Sequence, residues 1–65
     1  MHITLNGEKK TVTAMTITEL LAEISAPPRG IAVEVNAAII PKSLHAETAL
    51  NDNDVVEIVS FIGGG

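Results

Sequence analysis

No cysteine, tryptophan or tyrosine occurs in the sequence, and Phe61 is its single aromatic residue. Disulfide staples, thiol nucleophiles and zinc clusters built on thiolates are thereby excluded. Cations are scarce as well: Lys9, Lys10, Arg29 and Lys42 stand against eight acidic residues, for a net charge of -4. That balance offers no basic patch to phosphates, so no nucleic-acid partner is expected. It suits solubility and steering toward a basic surface on a partner protein. No apolar run approaches the length needed to span a bilayer, and Met1-His2-Ile3-Thr4 lacks the basic-then-apolar pattern of a secretory leader. A soluble cytoplasmic protein with no membrane contact is expected.

What is present is mainly aliphatic. Apolar residues make up 46% of the 65 positions, enough for one core and too many for a disordered chain. A domain of this size buries only about 60% of the surface its unfolded chain exposes, so the core is thin.

Alternation places the strands. His2 to Asn6 puts Ile3 and Leu5 on one face, and Asn6-Gly7 supplies the positive φ angles of a tight hairpin turn. Lys9 to Thr13 then returns as a short, mostly solvated edge around Val12, its lysines discouraging edge-to-edge pairing. Thr16-Ile17-Thr18-Glu19 has capping-box spacing and predicts a helix start. Ile17, Leu20, Leu21 and Ile24 form its apolar stripe, with Glu19 and Glu23 toward water. Ala26-Pro27-Pro28-Arg29-Gly30 ends the helix, because residues before proline leave the helical region.

Ile31 to Asn36 alternates again, with Ile31, Val33 and Val35 on one face. A bend near Asn36-Ala37 leads to a short strand, Ala38-Ile39-Ile40, closed by Pro41. Lys42 to Leu50 reads as a loop over the sheet anchored by Leu44 and Leu50. Asn51-Asp52-Asn53-Asp54 is a turn, and Val55 to Phe61 is the last and most apolar strand.

Strand, strand, helix, strand, short strand, loop, strand is the order of an α+β fold of the β-grasp, ubiquitin-like kind. A mixed sheet of four to five strands covered by one helix is expected, with the last strand beside the first. Residues 1–62 then form the β-grasp domain and residues 63–65 a flexible glycine tail.

Gly63-Gly64-Gly65 follows the last strand without a polar linker. Lacking side chains, it can be threaded through a narrow channel, and at about 3.3 to 3.6 Å per residue it reaches roughly 10 Å past the fold. The terminal carboxylate of Gly65 becomes a deliverable group. A carboxylate is a poor electrophile, so acyl chemistry there requires prior activation, as in an acyl-adenylate made from ATP, and no catalytic residue of this chain is needed. The activated carbonyl could then accept sulfur from a partner's persulfide and end as a thiocarboxylate.

Over its whole length the sequence resembles the thiamine-biosynthesis sulfur-carrier proteins, which share the ubiquitin fold. The resemblance is carried by Met1 to Gly7, by Thr18-Glu19-Leu20-Leu21, and by Val33-Glu34-Val35-Asn36 with Ile39-Ile40-Pro41-Lys42. Val56-Glu57-Ile58-Val59, leading to Phe61-Ile62-Gly63-Gly64-Gly65, completes it. It implies a thiocarboxylate on Gly65, made through an adenylate by an ATP-using enzyme related to ubiquitin-activating enzymes. A sulfur donor enzyme loads it, and a thiazole synthase receives the sulfur. Gly64 and Gly65 match the family's terminal pair. Asn53 stands where the family often has glycine, a modest departure, since asparagine also tolerates the left-handed region.

Strand parity bears on docking. If Val56 and Ile58 face the helix, then Val59 and Phe61 face outward beside the tail, and Val59, Phe61 and Ile62 are expected to dock the partner enzymes. The alternative is that the loop from Lys42 to Leu50 covers them. His2 and His45 are isolated and fall in segments expected to be exposed, so neither is read as catalytic or metal-binding. Asp52 and Asp54 lack the spacing of a calcium loop. No bound cofactor or metal is expected. Three other functions fit the fold and tail: the sulfur-carrying subunit of molybdopterin synthase, a ubiquitin-like modifier attached to lysines, and a plain interaction module.

Overall fold

The structure, a computed structural model, describes residues 1–61. Its elements are β1 (His2–Leu5), β2 (Glu8–Thr11), α1 (Ile17–Glu23), β3 (Ile31–Val35), β4 (Ala38–Ile40) and β5 (Val55–Ser60), with a 3-10 turn at Lys42–Leu44. They form a five-stranded mixed sheet in the order β2-β1-β5-β3-β4. β5 runs parallel to β1 and antiparallel to β3, so the strand made last in sequence sits at the centre. This is the expected α+β, β-grasp arrangement with five strands.

Two tight turns set the registers of the outer hairpins. Leu5 pairs with Glu8 and Val35 with Ala38, leaving two-residue loops at Asn6-Gly7 and Asn36-Ala37. All four loop residues have positive φ (49°, 84°, 51° and 71°), as a primed hairpin turn demands. β2 is shorter than the expected Lys9 to Thr13. Its four residues are exposed, whereas Val12 beyond it is buried. The Val12 amide donates to the Met1 carbonyl at 2.9 Å and the Met1 ammonium to the Val12 carbonyl at 2.8 Å, which turns Val12 into the core.

The core lies between α1 and one face of the sheet. Ile17 and Leu20 from the helix meet Ile3, Val33 and Val56 from the three central strands, with Val12, Ala14 and Leu50 closing the sides. Leu21 and Ile24, the rest of the stripe, pack against this cluster partly buried. Burying such a Val, Leu or Ile side chain contributes about 1.5–3 kcal/mol, so a handful of residues carries the fold.

Thr16 caps the helix as expected, its hydroxyl accepting from the Glu19 amide at 3.2 Å. The Glu19 carboxylate reaches one residue further back than a capping box requires, to the Met15 amide at 2.8 Å. Glu23 is exposed, yet its carboxylate also accepts from the Thr13 and Ala14 amides. Both glutamates therefore tie the helix to the segment that enters it.

The helix stops at Glu23, before the proline pair acts. Ser25 takes φ +57°, its amide donates to the Ala22 carbonyl, and the Ala26 amide donates to the Leu21 carbonyl at 2.9 Å. This is a Schellman end with serine at the left-handed position.

The segment from Lys42 to Leu50 runs past the N-terminus of α1 rather than over the open sheet face. The Thr48 and His45 carbonyls accept from the Ile17 and Thr18 amides, both at 3.2 Å, and Ala49 bridges Thr16. Leu50 is the expected anchor and is buried. Leu44 is not: it is 44% exposed, and His45 takes the inward place at 8%. The imidazole is accommodated because its Nε2–H donates to the Ile40 carbonyl at 3.0 Å, which satisfies a buried polar group.

Candidate functional site

β5 leads to the glycine run, and its beginning is fixed by side chains from both hairpin turns. Asn36 donates its own amide to the Val55 carbonyl at 2.7 Å, and its Oδ1 accepts from the Val55 amide at 2.9 Å. Its Nδ2 donates to Asp54 Oδ1 at 3.0 Å. From the other flank, the Asn6 amide donates to the Val56 carbonyl at 2.9 Å and Asn6 Oδ1 accepts from the Ile58 amide at 2.8 Å. The buried Asp54 carboxylate also accepts from the Asn51 amide at 2.8 Å. Asp52 Oδ1 accepts from the His2 amide at 2.7 Å, and Asn53 takes φ +72°. The acidic turn is thus held by backbone amides.

Side chains on β5 alternate as parity predicts. Val56 is fully buried and Ile58 packs on the core, while Val55, Glu57 and Val59 point away from the helix. Val59 pairs with Ala32 of β3 and is 50% exposed, so the Lys42–Leu50 segment does not cover it. Glu57 lies opposite Glu34, a like-charge neighbour pair on the open face.

Phe61 departs from the expected arrangement in part. It lies past the end of β5, its amide donating to the Gly30 carbonyl at 2.9 Å. It is 67% exposed, yet it lines a groove on the helix side together with Leu21 and Pro27. Val59 and Phe61 therefore border different surfaces that meet at the end of β5. Ile62, Gly63, Gly64 and Gly65 lie outside the described residues, as do the expected domain limit at 62 and the tail.

The other candidate residues have structural partners. His2 is exposed, with Nδ1 3.0 Å from the Thr11 hydroxyl. His45, expected to be exposed, is buried and bonded to Ile40. Among the described residues no group of three or more His, Cys, Asp or Glu could hold a metal, and no buried side-chain nitrogen or oxygen lacks a hydrogen-bond partner. None of the described helices is long and apolar enough to cross a membrane. The asparagine side chains at the two turns escaped the sequence reading, although Asn6-Gly7 and Asn36-Ala37 were the signals that could have exposed them.

A family model described as the ThiS family matches residues 3–65. The chain belongs to the ThiS family of thiamine sulfur-carrier proteins. The crystal structure of the ThiS protein from Geobacter metallireducens matches with TM-score 0.87 at 33% identity, covering the whole of both chains. The sulfur carrier protein ThiS of Bacillus subtilis is 46% identical over 50 residues, 77% of this chain and 76% of that protein. A thiazole synthase of Paramagnetospirillum magneticum is 48% identical over 66 residues, which take in all of this chain and 20% of the synthase. The chain thus spans about a fifth of the length of that synthase.

Proposed function

We propose that this chain carries sulfur on Gly65 for the making of the thiamine thiazole, as a cytoplasmic co-substrate whose chemistry is catalysed by partner enzymes. The observation that carries this reading is the reach of the family match, which runs through residue 65 and so includes Gly63, Gly64 and Gly65. The fold supports it: the central strand stays paired to its last residue, Ser60 opposite Ile31, and the Phe61 amide donates to the Gly30 carbonyl, so the segment leading to the glycine run is held by the sheet.

The carboxylate of Gly65 attacks the α-phosphorus of ATP in a ubiquitin-activating-enzyme-like adenylyltransferase, and pyrophosphate leaves. The outer sulfur of a donor enzyme's persulfide then displaces AMP from the acyl carbon, and a second thiol breaks the resulting disulfide to free the thiocarboxylate. Thiazole synthase takes the sulfur. That acceptor is supported by the synthase of Paramagnetospirillum magneticum, which carries a segment similar to this chain. Val59, Phe61 and Ile62 dock these enzymes, and Gly63 and Gly64 thread into them. The same likeness favours the thiamine branch over the molybdopterin one.

The test is intact mass spectrometry after incubation with ATP, the adenylyltransferase and a sulfur donor. The chain gains the mass difference between sulfur and oxygen, and a variant lacking Gly65 does not. A wild-type chain that keeps its mass while the partner enzyme is shown to be active would remove the reading.

A further inference from the structure

Phe61 borders an open groove of about 470 Å³ beside the C-terminal end of α1. The groove is built by the way the helix ends. Ser25 in the left-handed region turns the chain so that the Ala26 amide bonds back to the Leu21 carbonyl, and Pro27-Pro28 continues with fixed φ angles. Lys42 Nζ donates to the Pro28 carbonyl at 3.3 Å, tying this segment to the opposite wall. Leu21, Ala26, Pro27 and Ile31 supply an apolar lining.

Its charge runs against that of the molecule. Two of the chain's four cations, Arg29 and Lys42, line the groove and none of its eight acidic residues does. An apolar cleft of a few hundred cubic ångströms with a small number of placed polar groups is the usual make-up of a binding site. Among the described residues the Arg29 side chain makes no hydrogen bond in the fold, so its planar fork of donors is available to a carboxylate.

We infer that this groove receives a segment of the adenylating enzyme in which an apolar side chain is flanked by Asp or Glu. This rests on the reading that such an enzyme activates Gly65. The occupant is a protein segment because the groove adjoins Phe61, which directly follows β5 on the way to the run the enzyme must reach. An enzyme that takes up Gly65 has to pass Phe61, and the surfaces beside it lie within its contact area. The helix side thus adds charge recognition to the apolar contact at Val59.

The experiment measures pyrophosphate release by the adenylating enzyme with this chain as varied substrate. Arg29→Glu raises KM about tenfold or more with kcat unchanged, a loss of about 1.4 kcal/mol in association, and weakens the dependence of KM on salt. Ala22→Phe, which fills the groove without altering charge, also raises KM. Thermal melting of both variants stays close to wild type. If both keep the wild-type KM while the wild type is adenylated, the groove inference is overturned and the carrier reading stands. A fall in kcat at constant KM for Arg29→Glu also overturns it. A wild-type chain that is never adenylated defeats both.

Discussion

Asn6 and Asn36 grip β5 from its two flanks, Asn6 Oδ1 accepting from the Ile58 amide at 2.8 Å and Asn36 Oδ1 from the Val55 amide at 2.9 Å. Each sits in the first place of a two-residue turn with φ near +50°, a conformation asparagine tolerates better than most residues. The same property that makes the turn therefore aims the amide at the neighbouring strand.

Glycine at either position keeps the turn and deletes the grip. Asn36→Gly removes two side-chain bonds and leaves Asp54 with one partner fewer. A net hydrogen bond contributes about 0.5–1.5 kcal/mol, so Asn36→Gly should cost about 1–3 kcal/mol and Asn6→Gly about half as much. At roughly 4–8 °C per kcal/mol for a domain of this size, calorimetry resolves the difference. Equal melting temperatures for wild type and both variants would show that water replaces the side chains without loss.

Ala37 invites the opposite change. It occupies the second place of the β3–β4 turn at φ +71°, where an alanine Cβ crowds the following carbonyl at a cost of about 1–2 kcal/mol. The matching place in the first hairpin is Gly7 at φ +84°. Ala37→Gly relieves the crowding but gives the unfolded chain more freedom, worth roughly 0.5–1 kcal/mol in the other direction. The expected balance is a gain of up to about 1.5 kcal/mol in chemical denaturation, with the m-value unchanged. A loss of stability would mean that the turn relaxes around alanine at little cost.

Much of this was legible in the sequence, and for one reason. The strands alternate and the helix stripe follows its period, so the thin core of Ile3, Ile17, Leu20, Val33 and Val56 announces itself through spacing. What stayed hidden depends on contacts between distant segments. His45 is buried because the Ile40 carbonyl and the helix N-terminus are waiting for it, and nothing in Ser43-Leu44-His45-Ala46 reveals either partner. The helix ended early because Ser25 adopted a conformation that glycine usually signals. Parity placed Val59 outward correctly, but it stops governing Phe61 once the chain leaves β5.

Val59 allows the sheet side of the proposed docking surface to be tested apart from the groove. It is half exposed, away from the helix, and paired with Ala32, so its methyl groups contribute little to the core and are available to a partner. Val59→Thr keeps the β-branched shape that a strand favours and exchanges one methyl for a hydroxyl. Stability should change by no more than about 0.5 kcal/mol, the usual range for surface positions. If an enzyme desolvates this residue, an unpaired buried hydroxyl costs about 1–3 kcal/mol, and KM for adenylation rises about fivefold or more while kcat holds. The Arg29→Glu effect should then add to it, since the two residues border different surfaces. An unchanged KM in Val59→Thr beside a raised one in Arg29→Glu would move the contact off the sheet and onto the helix side alone.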